Sequence, residues 1–293
     1  MKRLACWMPL ALVAMVLASG CQEKPRRPRG GYGGEEEEVT PRKPIKFTQT
    51  GTIKGHAVLQ GDRPDMTALN AAFRKQIEQS GIAHCLAGTG ESIESYSWRF
   101  NQAGRLQYVF VWIRPVNPRA EFFDVEELVK AGKYPQKVTI DQPHCAFLPH
   151  GVVLFPQFAR PKGFEATRQE FIVKNSSGID HNANYGTDNK AVNKNSELII
   201  PNTQLTPSYT RPIVISCNIH SWMRAYAWAF EHPFAAVTNE NGEYEIKGVP
   251  AGIPVRLVAW HEVAGFLLGD EGKEITVPPD GVHTENLNVQ KKD

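Results

Sequence analysis

The sequence carries almost no excess charge, few cysteines and few of the motifs that mark an enzyme. Lys and Arg number 33 and Asp and Glu number 31, so the formal net charge is +2, and neither a nucleic acid nor another strongly charged partner is expected. The haem-attachment motif C-x-x-C-H is absent. His261-Glu262 does not complete H-E-x-x-H, because Gly265 occupies the place of the second histidine. The sequence therefore predicts a protein that is not an enzyme.

Residues 1–20 are typical of a secretory signal. Met-Lys-Arg precedes an apolar run from Leu4 to Leu17, which is too short for a transmembrane helix. The ending Leu-Ala-Ser-Gly-Cys resembles the bacterial lipobox, which implies cleavage before Cys21 and lipidation of its thiol. Gln22, rather than Asp, follows that cysteine, which favours the outer membrane of a double-membrane bacterium. We expect an exported protein that faces the periplasm or the cell surface; secretion without lipid is the alternative.

Residues 21–48 predict a disordered tether behind the lipid. They contain Arg-Arg-Pro-Arg, a glycine-rich stretch and four successive glutamates, Glu35 to Glu38. Such a segment buries too little apolar surface to fold by itself. We expect it to link the membrane to the folded part.

The stretch from Cys217 to Met223 offers a thiolate, an imidazole and a thioether in the spacing C-x2-H-x2-M. A blue-copper site combines two imidazoles and one thiolate with a weak axial thioether, and His181 lies upstream as a second imidazole. The flanking segments 212–216 and 224–230 have the composition of strands, which would hold the loop rigidly. Zinc is the competing metal, but structural zinc sites usually draw two or more thiolates, and no second cysteine lies nearby. Each residue alone could be an ordinary core or loop residue; together they predict a metal site.

The remaining cysteines are Cys85 and Cys145, since Cys6 leaves with the signal. If Cys217 binds metal, these two are left to form a disulfide, which suits an oxidising compartment. The alternative is that one of them is a further ligand, because each directly follows a histidine, in His84-Cys85 and His144-Cys145.

The folded part is predicted to be mainly β. Short apolar or alternating runs are separated by Gly, Pro, Asn and Asp throughout, and helical periodicity is confined to two short stretches, 65–79 and 121–131.

The C-terminal region carries a first family resemblance. Residues 234–246 predict a hairpin with Asn241-Gly242 at its turn, followed by a P-x-G turn and a strand at 255–260. This pattern resembles the carboxypeptidase regulatory-like, transthyretin-like β-sandwich, whose first strand, G-x-V/I-x-G, matches Gly51 to Gly55. The resemblance implies a discontinuous sandwich of residues 49–134 and 231–293, with residues 135–230 inserted. Two sandwiches in tandem are the alternative.

Residues 135–230 resemble the small cupredoxins, especially amicyanin with its short C-x2-H-x2-M loop. The matching segments are 138–140, 147–150, 169–175, 181–182 and 217–223. The resemblance implies a Greek-key β-sandwich with one copper ion. Its ligands would be His181, Cys217, His220 and Met223.

Two further residues acquire expected roles from this resemblance. Asn182 would tie the two ligand segments together by a side-chain hydrogen bond. His150 would donate a hydrogen bond to one of the ligands. The alternatives are that it is an additional ligand or that it has no metal role. Residues 185–207 depart from the family as a long polar excursion, which we expect to be a tolerated insertion; a surface loop that shapes a partner-docking face is the alternative.

Such a site implies one-electron transfer, because copper alternates between Cu(I) and Cu(II) without opening a position to substrate. The partner would be another redox protein, and His220, on an exposed loop, would be the exit of the electron to the surface. The alternative is a protein that binds or stores copper. A surface module that binds carbohydrate or protein without redox chemistry is also possible by fold analogy.

Overall fold

The computed structural model describes residues 40–291, and within them the predicted mainly β class is confirmed. The helices are α1 (Met66–Gln79), α2 (Ala83–Leu86) and α3 (Glu126–Lys130), with 3-10 turns at Gly90–Ile93 and Asn202–Gln204. The strands are β1 (Lys43–Ile45), β2 (Thr50–Gln60), β3 (Phe110–Arg114), β4 (Glu121–Phe123), β5 (Lys137–Asp141), β6 (Gly151–Leu154), β7 (Gln157–Ala159), β8 (Phe164–Ala166), β9 (Glu170–Asn175), β10 (His181–Tyr185), β11 (Asp188–Val192), β12 (Ser196–Ile200), β13 (Ile213–Ser216), β14 (Arg224–Ala229), β15 (Ala235–Val237), β16 (Glu243–Pro250), β17 (Pro254–His261), β18 (Gly265–Phe266), β19 (Lys273–Thr276), β20 (Val282–Thr284) and β21 (Leu287–Gln290).

One pair of sheets combines strands from both ends of the described chain. The first sheet has the order β15-β3-β17-β18, with β19 also paired to β17; in the second, β2 pairs with β16, β20 and β21. Alternate residues of these strands, such as Ile53 on β2 and Leu257 on β17, are buried in one shared core. Strands that precede and follow residues 135–230 therefore belong to the same two sheets.

Gly51 and Gly55 on β2 lie where other parts of the chain approach closely. A Cβ on Gly55 would lie 1.8 Å from the carbonyl oxygen of Glu285, and one on Gly51 would lie 2.6 Å from Cγ1 of Val277. Larger side chains do not fit at either place unless the neighbours move. The glycines of the first-strand pattern are thus explained by close packing.

The predicted hairpin at residues 234–246 is wrong. The chain does turn there, with the amide of Gly242 bonded to the carbonyl of Asn239 at 2.8 Å. The strands on the two sides enter different sheets, however, because β15 pairs with β3 and β16 pairs with β2. The turn therefore connects the two layers of the sandwich.

A second pair of sheets is formed by residues 137–229. One has the order β11-β10-β13-β14-β6, and the other the order β12-β9-β5. Their inward side chains form a second core, which includes Phe147, Phe171 and Ile215. Residues 185–207 are not one continuous loop, since β11 and β12 lie within them as edge strands.

The predicted domain boundary between residues 134 and 135 does not follow the division between the two cores. Trp112 of β3 and Trp228 of β14 belong to one aromatic cluster, with ring centroids 4.4 Å apart. Phe158 of β7 packs into the core of the first pair of sheets, whereas Ile77 of α1 and Cys85 of α2 pack into the core of the second. The segment from α1 to α2 therefore reaches over to the 135–230 region.

The predicted helix at 65–79 is present as α1, and the side chain of Asp65 caps it by accepting a hydrogen bond from the amide of Ala68. The stretch 121–131 divides instead into β4 and the shorter α3. The helix α2 was not predicted.

The predicted signal, the lipidation of Cys21 and the tether up to residue 39 lie outside the described residues. The end of the predicted tether is ordered, because β1 pairs in parallel with β4 and Arg42 forms a salt bridge of 2.9 Å with Glu231. No helix in residues 40–291 combines the length and the apolar character that a membrane crossing requires.

Candidate metal centre

Two neighbouring antiparallel strands bring the predicted donors together. His181 is the first residue of β10, and Cys217 directly follows the last residue of β13. The pairing of Asn184 with Ser216 aligns the start of β10 with the end of β13. Both donors therefore project from the same end of one sheet.

The donor atoms of three predicted ligands converge. Nδ1 of His181 lies 3.0 Å from Nδ1 of His220, which in turn lies 3.7 Å from Sγ of Cys217. One donor atom from each of the three residues falls within 4.8 Å of the other two. Metal bonds to imidazole nitrogen and thiolate sulfur are about 2.0–2.3 Å long, so one ion between these atoms is compatible with the spacing.

The loop from Cys217 to Met223 is closed by its own backbone. The amide of Met223 donates to the carbonyl of His220 at 2.9 Å, and the amide of Cys217 donates to the carbonyl of Met223 at 3.3 Å. The side chain of Met223 is completely buried in the same core as Cys217. The fourth predicted donor thus lies within the closed loop.

Asn182 links the two ligand segments. Its Oδ1 accepts hydrogen bonds from Sγ of Cys217 at 3.1 Å and from the amide of Asn218 at 2.8 Å. Its Nδ2 donates to Oδ1 of Asn189 on β11. These bonds hold the sulfur in a fixed position relative to β10.

Burial keeps both histidines of the cluster neutral. Desolvation is the main cause that lowers the pKa of His181 to about 4, and the neighbouring His220 and His84 lower it further. Desolvation, followed by His84, also lowers the pKa of His220. Each neutral ring keeps a lone pair that can bind a metal at pH 7.

The second ring nitrogens of these two histidines are unusual. Nε2 of His181 and Nε2 of His220 are buried and have no hydrogen-bond partner among residues 40–291, although the other nitrogen of a metal-bound histidine usually has one. Packing fixes the rings instead: the centroids of the His181 and His220 rings are 4.7 Å apart, and the His220 ring lies 5.3 Å from Trp222.

Cys85 and Cys145 form a disulfide beside the cluster. Their sulfurs and a ring nitrogen of His220 lie within 4.8 Å of one another. In this state neither cysteine offers a thiolate to a metal. Nε1 of Trp222 donates to the carbonyl of Cys145 at 3.0 Å, which joins the ligand loop to the disulfide.

The loop around His220 is exposed, but the imidazole itself, which is the predicted exit of the electron to the surface, is buried. Its exposed fraction is 1%, although Ile219 beside it is 57% exposed. The ring turns inward, where Trp222 and the disulfide lie against it. The loop reaches the surface, but its imidazole does not.

His150 lies away from the donors, and its hydrogen bonds do not include the predicted one to a ligand. Its Nδ1 bonds to the carbonyl of Arg224 at 2.8 Å and its Nε2 to Oε1 of Glu262 at 2.7 Å. The ring stacks on Tyr96, with centroids 4.5 Å apart. His150 therefore connects β14 to the end of β17.

Gln142 is a contributor that the sequence did not indicate. It is completely buried, and its Nε2 donates to the carbonyl of Asn182 at 3.3 Å. A glutamine after a strand carries no local pattern that reveals such a contact. Only the folded structure shows that Gln142 lies beside Asn182.

No protein-family model matches this chain, and no curated protein matches it either. The functional interpretation therefore depends on the arrangement of His181, Cys217 and His220.

Proposed function

We propose that this protein binds one copper ion through His181, Cys217, His220 and Met223 and carries single electrons between redox proteins. The convergence of two neutral imidazoles and one cysteine sulfur, from two strands that meet at one sheet end, is the observation that supports the proposal. Two nitrogens, a thiolate and a thioether are the donors of a blue-copper site.

A bound copper ion would supply the one-electron couple Cu(I)/Cu(II). The contribution of the protein is a fixed set of donors: β10 and β13 hold His181 and Cys217, and the backbone of the loop fixes His220. Asn182 fixes the loop next to Cys217 by accepting the amide of Asn218. Donors that cannot move favour rapid electron transfer, because little rearrangement accompanies a change of charge.

Burial of the donors favours a carrier over an enzyme. His181 and His220 are almost completely buried, so a substrate would have no path to a bound ion. Electrons would instead pass from His220 to a partner protein at the surface, where Ile219 is an exposed apolar residue of the loop.

Export and anchoring by a lipid on Cys21 complete the proposal. A carrier held at the outer membrane would meet its redox partner at the periplasmic or outer surface. The tether ahead of β1 would set how far it reaches.

The test is a titration of the purified chain with Cu(II) at pH 7. The expected result is an intense visible thiolate-to-copper band that reaches its maximum at one equivalent. Cys217→Ser should abolish the band, whereas His56→Asn, which alters a half-buried histidine of β2, should leave it unchanged. A folded, copper-loaded wild type without the band would refute the proposal.

Copper storage is the second candidate, because the same burial favours retention of an ion. Cycles of reduction and reoxidation separate the two functions. A carrier loses the band on reduction and regains it with its copper still bound, whereas a storage or delivery protein releases copper to a Cu(I) chelator once reduced.

A further inference from the structure

His84 and His144 form a second pair of imidazoles beside the candidate copper site. Each precedes one cysteine of the Cys85–Cys145 disulfide, which spans 60 residues and holds the two Cα atoms 5.2 Å apart. The centroids of the two imidazole rings are 5.0 Å apart, and the ring planes differ by 31°. The disulfide thus brings together two histidines from distant parts of the chain.

One nitrogen of each ring lacks a partner. Nε2 of His84 and Nδ1 of His144 are buried and form no hydrogen bond within residues 40–291. A buried polar atom without a partner lowers stability. A metal ion can accept the lone pairs of two adjacent imidazoles at once, and a centroid separation of 5.0 Å is compatible with two metal–nitrogen bonds of about 2.0–2.1 Å once the radius of each ring is added.

The pair lies directly outside the donor cluster. The sulfurs that follow His84 and His144 lie within 4.8 Å of a ring nitrogen of His220. His84 and His144 are half-buried, whereas His181, Cys217 and His220 are buried. An ion that enters from solvent on this side would meet the outer pair first.

We propose that His84 and His144 bind a copper ion transiently and pass it to His181, Cys217 and His220. This inference rests on the proposed copper site. Imidazole nitrogens bind copper well, and water would complete the coordination on the solvent side.

The transfer is a ligand exchange in which the oxidation state of copper stays the same. The imidazole nitrogens of His84 and His144 release the ion, and those of His181 and His220 bind it together with the Cys217 sulfur. The proton of the Cys217 thiol goes to solvent, since a metal-bound cysteine is a thiolate.

The test compares loading rates of the full chain with its disulfide intact. Cu(II) is mixed at less than one equivalent with wild type, with the double variant His84→Asn/His144→Asn, and with His56→Asn as the control. The visible band should appear at least tenfold more slowly in the double variant and reach the same final amplitude. Equal rates in the double variant and in wild type would overturn the proposal.

A second measurement detects the outer ion itself. After the inner site is filled, a further equivalent of Cu(II) should give an electron paramagnetic resonance signal with nitrogen coupling in wild type but not in the double variant. An identical signal in both proteins would also overturn the proposal. If the double variant fails to fold, the single variant His144→Asn replaces it, with slower loading expected.

The two proposals fail in different ways. If wild type never develops the visible band, the copper site itself is refuted. If the band forms at one equivalent with the same rate in wild type and the histidine variants, only the loading role of His84 and His144 is refuted.

Discussion

Trp222 and Cys145 are joined by a hydrogen bond of 3.0 Å from the indole nitrogen to the main-chain carbonyl. The bond connects the loop that carries Cys217 and His220 to the disulfide that covers it. The position of this loop therefore depends on Cys145, which lies 77 residues before Trp222 in the chain.

Trp222→Phe should lower the free energy of unfolding by about 1–3 kcal/mol, because the hydrogen bond to the carbonyl of Cys145 is lost and the smaller phenyl ring leaves part of the space of the indole unfilled. Urea denaturation of the metal-free protein measures this change. Ser221→Ala is the matched control, since Ser221 is exposed and a surface change of this kind stays within about 0.5 kcal/mol. Equal stability of Trp222→Phe and wild type would show that the bond does not stabilise the loop.

Met223→Leu should keep the visible band of the copper-loaded protein and raise its reduction potential. Leucine has no electron pair for the ion and makes its surroundings more apolar, which favours the lower charge of Cu(I). The similar volume of the two side chains should limit the loss of stability to about 1.5 kcal/mol. A redox titration gives the potential; if it does not change, Met223 only fills the core.

Gly55→Ala should destabilise the protein by about 1–3 kcal/mol, because the added methyl group would lie 1.8 Å from the carbonyl oxygen of Glu285. Gly178→Ala is the control, since nothing lies within 4 Å of a Cβ at that position. Urea denaturation compares the two variants. Equal stabilities would mean that β2 can move away from Glu285 without loss.

His261 should make the protein less stable in mild acid. Burial is the main cause that lowers its pKa to about 4; Glu262 opposes this effect and His150 adds to it. In the unfolded chain the pKa is about 6.5. Only the unfolded state then takes up this proton between those two pKa values, so the stability present above pH 6.5 is lost as the pH falls.

The expected loss from His261 between pH 7 and pH 5 is about 2 kcal/mol. His261→Asn removes the titration, and its side-chain oxygen can replace Nδ1 as the acceptor for the amide of Ala264. Urea denaturation at the two pH values should show a smaller decrease in the variant than in wild type. The same decrease in both proteins would contradict this assignment.

Local patterns predicted the strands around the ligand loop well. The β-branched segment before Cys217 and the alternating segment after it became β13 and β14, because both have one face buried. The spacing of Cys217, His220 and Met223 also identified the candidate donors. It could not place His181 next to them, since that contact depends on how β10 pairs with β13.

The errors share a physical origin in long-range pairing. An Asn-Gly turn reverses the chain, but β2 and β3 decide which sheet each flanking strand joins. The polar composition of 185–207 concealed two strands, because β11 and β12 lie at sheet edges and are mostly exposed or half-buried. His220 is buried partly by the Cys85–Cys145 disulfide. The sequence around residue 220 could not predict this contact, because both cysteines lie far away in the chain.

The contact between the indoles of Trp112 and Trp228 means that the region with the candidate metal site cannot be cut out as a small independent domain. A fragment limited to 135–230 would turn Trp228 and Phe230 toward water and lose the bridge that Cys85 supplies. Any recombination that transplanted this region would have to carry β3, β17 and the α1–α2 segment along with it.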